Sequence, residues 1–130
     1  MNVEQVHYLT EKEKELVSLL FELGIKRNIA KILVFLANTD EATSRDLERG
    51  LDLHQTEVST AMHEFQERGW ITVRESKGER RGRYRKAYRL SKPITKIFSD
   101  IERGKKEEAQ KQLARIRKIQ DYALLKPVRK

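Results

Sequence analysis

"TSRDLERGLDLHQTEVSTAMHEFQERGWI", residues 43–71, decides how this 130-residue chain folds. It contains two amphipathic runs with a break at Gly50. In the first run Thr43 is placed as an N-cap, with Asp46 at the third helical position and Leu47 as the apolar anchor; Gly50 is the expected stop. The second run, roughly Gln55–Arg68, repeats Val58, Ala61, Met62 and Phe65 at i, i+3, i+4 and i+7. That spacing makes one apolar face, which Gly69 terminates. Gln55, Thr56, Ser59, Thr60, His63 and Gln66 fall opposite. Two helices joined by a tight turn, the second longer and with small polar residues outward, make a helix-turn-helix.

Immediately downstream the period changes from helical to alternating. "WITVRES" (70–76) and "YRKAYRLS" (84–91) read as strands, and "KGERRG" (77–82), with two glycines, suits a loose hairpin tip. On the second strand Arg83, Arg85, Ala87 and Arg89 share one side, and Tyr84, Lys86, Tyr88 and Leu90 the other. A face with three arginines has to meet water or phosphate. Tyr84 and Tyr88 are read as cross-strand packing rather than as base-stacking platforms.

Working upstream, "TEKEKELVSLLFELG" opens with the capping-box spacing of Thr10 and Glu13 and closes at Gly24. "IKRNIAKILVFLAN" puts Ile25, Ile29, Ile32, Leu33 and Leu36 on one stripe of a second helix that closes near Asn38. Downstream of the hairpin, Pro93 suits a first helical turn. Ile94, Ile97, Phe98 and Ile101 form one stripe, and Ala109, Leu113, Ile116, Ile119 and Ala123 another. Gly104 lies between them, and the sequence leaves open whether the helix continues through it or is broken or bent there. The expected fold is therefore mainly α with a small β-hairpin (α+β), a winged helix-turn-helix over residues 1–92. Residues 93–130 would add a C-terminal helical dimerisation segment, with Ile97, Ile101, Leu113 and Ile116 as its interface.

Charge is distributed unevenly. Residues 1–72 hold 8 Lys+Arg against 13 Asp+Glu, residues 73–92 hold 9 against 2, and residues 93–130 hold 11 against 5; the balances −5, +7 and +6 give the net +8. The positive charge thus begins at the hairpin, which favours a polyanionic partner. No apolar run approaches the ~20 residues of a membrane helix, and no secretory leader is visible at the N-terminus. With no cysteine there is no thiolate metal site, and the cytoplasm is the simple location. Catalysis has little to stand on. His54 and His63 are nine residues apart, half a turn out of phase on a helix, and no Ser/His/Asp spacing, HExxH or phosphate-cradling glycine loop is present. No metal or cofactor is expected.

The order of two helices, a helix-turn-helix and a basic hairpin resembles the DNA-binding domain of MarR-, ArsR- and TrmB-like regulators, particularly archaeal ones, over roughly residues 25–91. The residues that carry the resemblance are Leu47, Val58, Ser59 and Phe65, then Arg68-Gly69-Trp70-Ile71 leading into the wing, and Gly82-Arg83 with Tyr88-Arg89-Leu90 closing it. The resemblance implies that helix 55–68 enters the major groove, where Gln55, Thr56, Ser59, Thr60 and His63 read base edges or hold phosphate oxygens. It also implies a wing along the adjacent backbone or minor groove, with Lys77, Arg80, Arg81, Arg83 and Arg85 as phosphate contacts. Two features depart from the pattern. Thr60 stands where relatives often carry arginine or lysine, and His54 where they usually carry a serine or aspartate cap. The helix also holds Glu57, Glu64 and Glu67 against Arg68 alone, a net −2 that leaves electrostatic affinity to its surroundings.

The function expected is that of a homodimeric, sequence-specific regulator of transcription bound to double-stranded DNA, with no indication of an effector. A sequence-tolerant architectural DNA-binder and a winged-helix protein-interaction module of the transcription machinery are the alternatives.

Overall fold

The computed structural model describes residues 8–77 and 84–125. The elements run α1 (Glu11–Glu22), α2 (Arg27–Ala37), β1 (Ala42–Thr43), α3 (Ser44–Leu51), α4 (Gln55–Arg68), β2 (Ile71–Lys77), β3 (Tyr84–Leu90) and α5 (Ile94–Leu125). The chain divides into two compact units, Met1–Ile94 and Thr95–Lys130.

In the first unit α2 is the hub. It touches α1, α3, α4 and β3. The sequence suggests a single stripe, yet Ala30, Val34 and Phe35 are buried along with Ile29, Ile32, Leu33 and Leu36. A helix enclosed on several sides becomes apolar nearly all round. Leu47 from α3, and Val58, Ala61, Met62 and Phe65 from α4, complete the core.

Three helices end by the same device. In α1, Gly24 takes φ 96°, its N–H donates to the Phe21 carbonyl, and the Ile25 N–H donates to the Leu20 carbonyl at 3.0 Å. In α4, Gly69 takes φ 71°, and the Trp70 N–H donates to the Phe65 carbonyl at 3.1 Å. This satisfies carbonyls that the helix itself cannot, and it brings an apolar residue just past the end onto the last turn. Here Trp70 meets Phe65 edge to face, with ring centroids 6.2 Å apart. In α3 the stop differs from the expectation at Gly50. The helix runs on to Leu51, and the left-handed residue is Asp52, at φ 54°. One extra residue of helix buries Leu51, and the reversal after it buries Leu53. Aspartate tolerates this conformation better than most side chains.

Thr43 begins α3 with a full capping box. Its hydroxyl accepts from the Asp46 N–H at 3.2 Å, and its own N–H donates to the Asp46 carboxylate at 2.9 Å. Thr43→Ala is expected to lower stability by about 1 kcal/mol. Urea denaturation would check it, with an unchanged midpoint counting against the cap.

The sheet has order β1-β3-β2 and is antiparallel throughout. Thr43 pairs with Ala87, and β2 pairs with β3 from Ile71–Leu90 to Lys77–Tyr84. In the second unit α5 is one uninterrupted helix of 32 residues. The question left open at Gly104 is answered by continuity: the helix runs through it. The glycine costs about 1 kcal/mol relative to alanine, too little to interrupt a helix with strong formers on both sides.

Candidate nucleic-acid interface

The capping residues and the buried face of α4 fix which side chains it can present. Gln55, Thr56, Ser59, Thr60 and His63 are all exposed. They do not form one flat surface, because α4 lies between two clefts. Thr56 and Thr60 line a groove toward the start of α2, shared with Lys26, Arg27, Glu57 and Glu64. Gln55, Ser59 and His63 line a crevice toward the hairpin. That crevice also holds Ser44, Gln66 and Lys86, none of which stands among the site residues expected from the sequence.

Two of the three carboxylates on α4 already have partners. Glu57 accepts from the His54 N–H at 2.9 Å and from the Asn28 amide at 3.2 Å. The His54 bond first and the Asn28 bond second hold its carboxyl below the ordinary carboxylate range. His54 is thus backed at the cap position by Glu57. Glu64 pairs with Lys26 at 3.2 Å and with Arg68 at 3.6 Å. Arg68 also stands over the Trp70 ring, 4.8 Å from its centroid. Lys26 reduces the nominal −2 of the helix to −1, the neutral donors on Glu57 engage its carboxylate without cancelling its charge, and Glu67 is the acid left on the outward side.

The two faces of the hairpin differ chemically. Cross-strand partners share a face, so Val73 lies with Tyr88 and Glu75 with Lys86, while Thr72 lies with Arg89 and Arg74 with Ala87. Tyr88 and Ala87 are both buried, so each face packs inward near the base of the hairpin. The Arg89 face is partly neutralised, because Arg74 forms a two-point ion pair with Glu41. That hydrogen bond lowers the Glu41 pKa and raises that of Arg74. Of the five expected wing contacts, Lys77 ends β2 opposite Tyr84, and Arg85 pairs with Ser76. Arg80, Arg81 and Arg83 lie outside the described residues.

On α5, Ile97 and Ile101 are buried, whereas Leu113, Ile116 and Ile119 are exposed at 58%, 49% and 69%. Among the described residues, no group of three or more His, Asp or Glu side chains is placed to hold a metal. No helix among them is long and apolar enough to cross a membrane.

Residues 23–82 match the model of the MarR family. The match covers a little under half of the chain, and over that stretch the winged domain is similar to the MarR family. The MarR match spans α2 through β2 and takes in the whole groove between α2 and α4, but not β3, which gives Lys86 and Tyr88 to the crevice on the hairpin side. Among solved structures, one described only as a transcriptional regulator shares 20% identity, covers 86% of this chain and 72% of its own, and gives a TM-score of 0.54. A mutant MepR from a multidrug-resistant S. aureus clinical isolate shares 18% identity over 88% of this chain and 84% of its own, with a TM-score of 0.51. These two likenesses concern the fold, a MarR-type winged helix followed by a C-terminal helix. A search of curated proteins finds no match. The comparisons give no support to an archaeal subtype. MarR proteins are DNA-binding regulators of transcription, and the MarR family is not a family of enzymes.

Proposed function

We propose that this chain is a sequence-specific regulator of transcription that binds double-stranded DNA as a homodimer in the cytoplasm and catalyses nothing. Helix α4 enters the major groove, and the basic hairpin, residues 76–89, follows the adjacent backbone or minor groove. The observation that supports this best is the state of α4. Its apolar face is wholly buried, its outward face is a row of exposed hydroxyl, amide and imidazole groups, and Glu57 and Glu64 are occupied by local partners. A helix so arranged offers hydrogen-bonding groups to base edges without presenting unpaired carboxylates at every turn.

The homodimer reading draws on α5. Ile97 and Ile101 are already buried, so a second copy would meet the exposed stripe of Leu113 and Ile116. Two symmetry-related α4 helices would then address half-sites about 34–36 Å apart.

Footprinting of the full chain on genomic fragments at near-physiological salt tests the proposal. Protection of one or a few discrete loci is expected. Uniform protection would point to the architectural binder, whose affinity is electrostatic and independent of sequence. No protection would leave the protein-interaction module.

A further inference from the structure

We propose that the crevice between α4 and the β2–β3 hairpin holds one backbone phosphate of the DNA, dividing α4 into an edge that grips the backbone and an edge that reads bases. The inference rests on the groove-reading assignment above and names residues which that assignment leaves out.

The geometry of a duplex requires a strand at this place. A sugar-phosphate backbone separates each major groove from the neighbouring minor groove. A protein with a helix in one and a hairpin along the other must straddle that backbone, and the strand passes over the cleft between the two elements. In this chain the cleft has an apolar floor that includes Met62 and Val73, and its polar lining includes Ser44, Gln55, Ser59, His63, Gln66 and Lys86. Each of these polar side chains has an N–H or O–H to donate, and none is a carboxylate. Lys86 supplies a compact positive charge suited to a phosphate oxygen. Its acidic neighbour is Glu75, directly across the strands at 3.9 Å, and both side chains are more than half exposed. A pair that long and that solvated is weak, so Lys86 can exchange it for a phosphate.

The groove on the other side of α4 is mixed in charge. Thr56 and Thr60 stand there beside Glu57 and Glu64, and of its two cations Lys26 is paired with Glu64 at 3.2 Å and Arg27 lies over the Phe21 ring, 4.4 Å from its centroid. Carboxylates repel a phosphate, but they accept from cytosine N4, and threonine serves either donors or acceptors on base edges. The two edges of α4 therefore divide the work. Gln55, Ser59, His63 and Gln66, with Ser44 and Lys86, set the register on the backbone, and Thr56 and Thr60 carry the discrimination.

The test uses the full chain on two DNAs, a duplex selected by the wild-type protein from a random pool and an unselected random duplex. Lys86→Ala should weaken binding to both by the same factor, on the order of tenfold for one charge-assisted hydrogen bond. The slope of log K against log salt should fall in magnitude by about 0.9. Lys86→Arg should keep the slope. Thr56→Ala with Thr60→Ala should weaken the selected duplex alone. A scan of single neutral methylphosphonates should find a position that costs the wild type affinity and costs Lys86→Ala nothing. An unchanged salt slope in Lys86→Ala, or a scan with no such position, overturns the inference while groove reading stands. Failure of the wild type to bind any duplex overturns both.

Discussion

Phe65→Ala is expected to cost the winged domain about 3–5 kcal/mol, the range for removing a large aromatic from a tight core. Phe65 is 1% exposed and sits on the buried face of α4 with Val58, Ala61 and Met62. The substitution loses more than apolar area. The Trp70 ring stands edge-on to Phe65, 6.2 Å between centroids, and such pairs add about 0.5–1.5 kcal/mol beyond burial. The Phe65 carbonyl also receives the Trp70 N–H at the turn that launches β2, so a cavity here loosens the route into the hairpin. A single domain has about 5–15 kcal/mol in all, so this change takes a large share of it. In urea the midpoint should fall steeply with an unchanged slope. A loss below about 1 kcal/mol would mean that the site collapses around the gap and that Phe65 does not anchor the core.

The second large effect concerns assembly. Leu113→Lys with Ile116→Lys should convert a dimer to a monomer in sedimentation and sharply weaken binding to the selected duplex. Burying two such side chains contributes on the order of 3–6 kcal/mol per chain before entropy is counted. A two-fold interface repeats every contact, so each substitution is felt twice. The helices of the winged unit should survive, because their core of Ile29, Leu33, Leu47, Val58 and Phe65 contains neither residue. One reading helix alone would not span two half-sites, which is why affinity should fall when assembly is lost. A wild-type protein that already sediments as a monomer at micromolar concentration would refute the homodimer, and the expected palindromic site with it.

Much of this architecture could be read from short-range signals. The i, i+3, i+4, i+7 spacing from Val58 to Phe65 and the Thr43–Asp46 box each act within one or two turns, so the chain alone specifies them. Where the outcome depends on distant neighbours, the sequence misleads or is silent. β1 is two residues long and has no pattern of its own; it exists because β3 lies beside it. Gly50 has the chemistry of a helix stop, but burying Leu51 and Leu53 moves the reversal to Asp52. The exposed face of α4 is visible as a list of polar residues. Its division into two edges requires knowing which neighbour lies on which side. Lys86 is easily passed over for the same reason. Strand alternation sets it apart from the arginines that dominate the charge count, and only the placement of β3 beside α4 brings it to Ser59 and His63.

Thr43 belongs to two elements at once. Its backbone is the last step of β1, laddered to Ala87 of β3, and its side chain caps α3. One residue with no linker on either side therefore ties the root of the hairpin to the helix that supports α4. If α4 and the hairpin face DNA as proposed, the two elements have little freedom to adjust their spacing, and the protein would act as a fixed gauge. A duplex whose grooves do not match the gauge must bend, or change its groove width, to be bound. The energy of doing so depends on base steps the protein never touches, from stiff A-tracts to easily kinked TA and CA steps. Selectivity in this chain should then extend to uncontacted positions of its binding site, set by how readily the DNA yields.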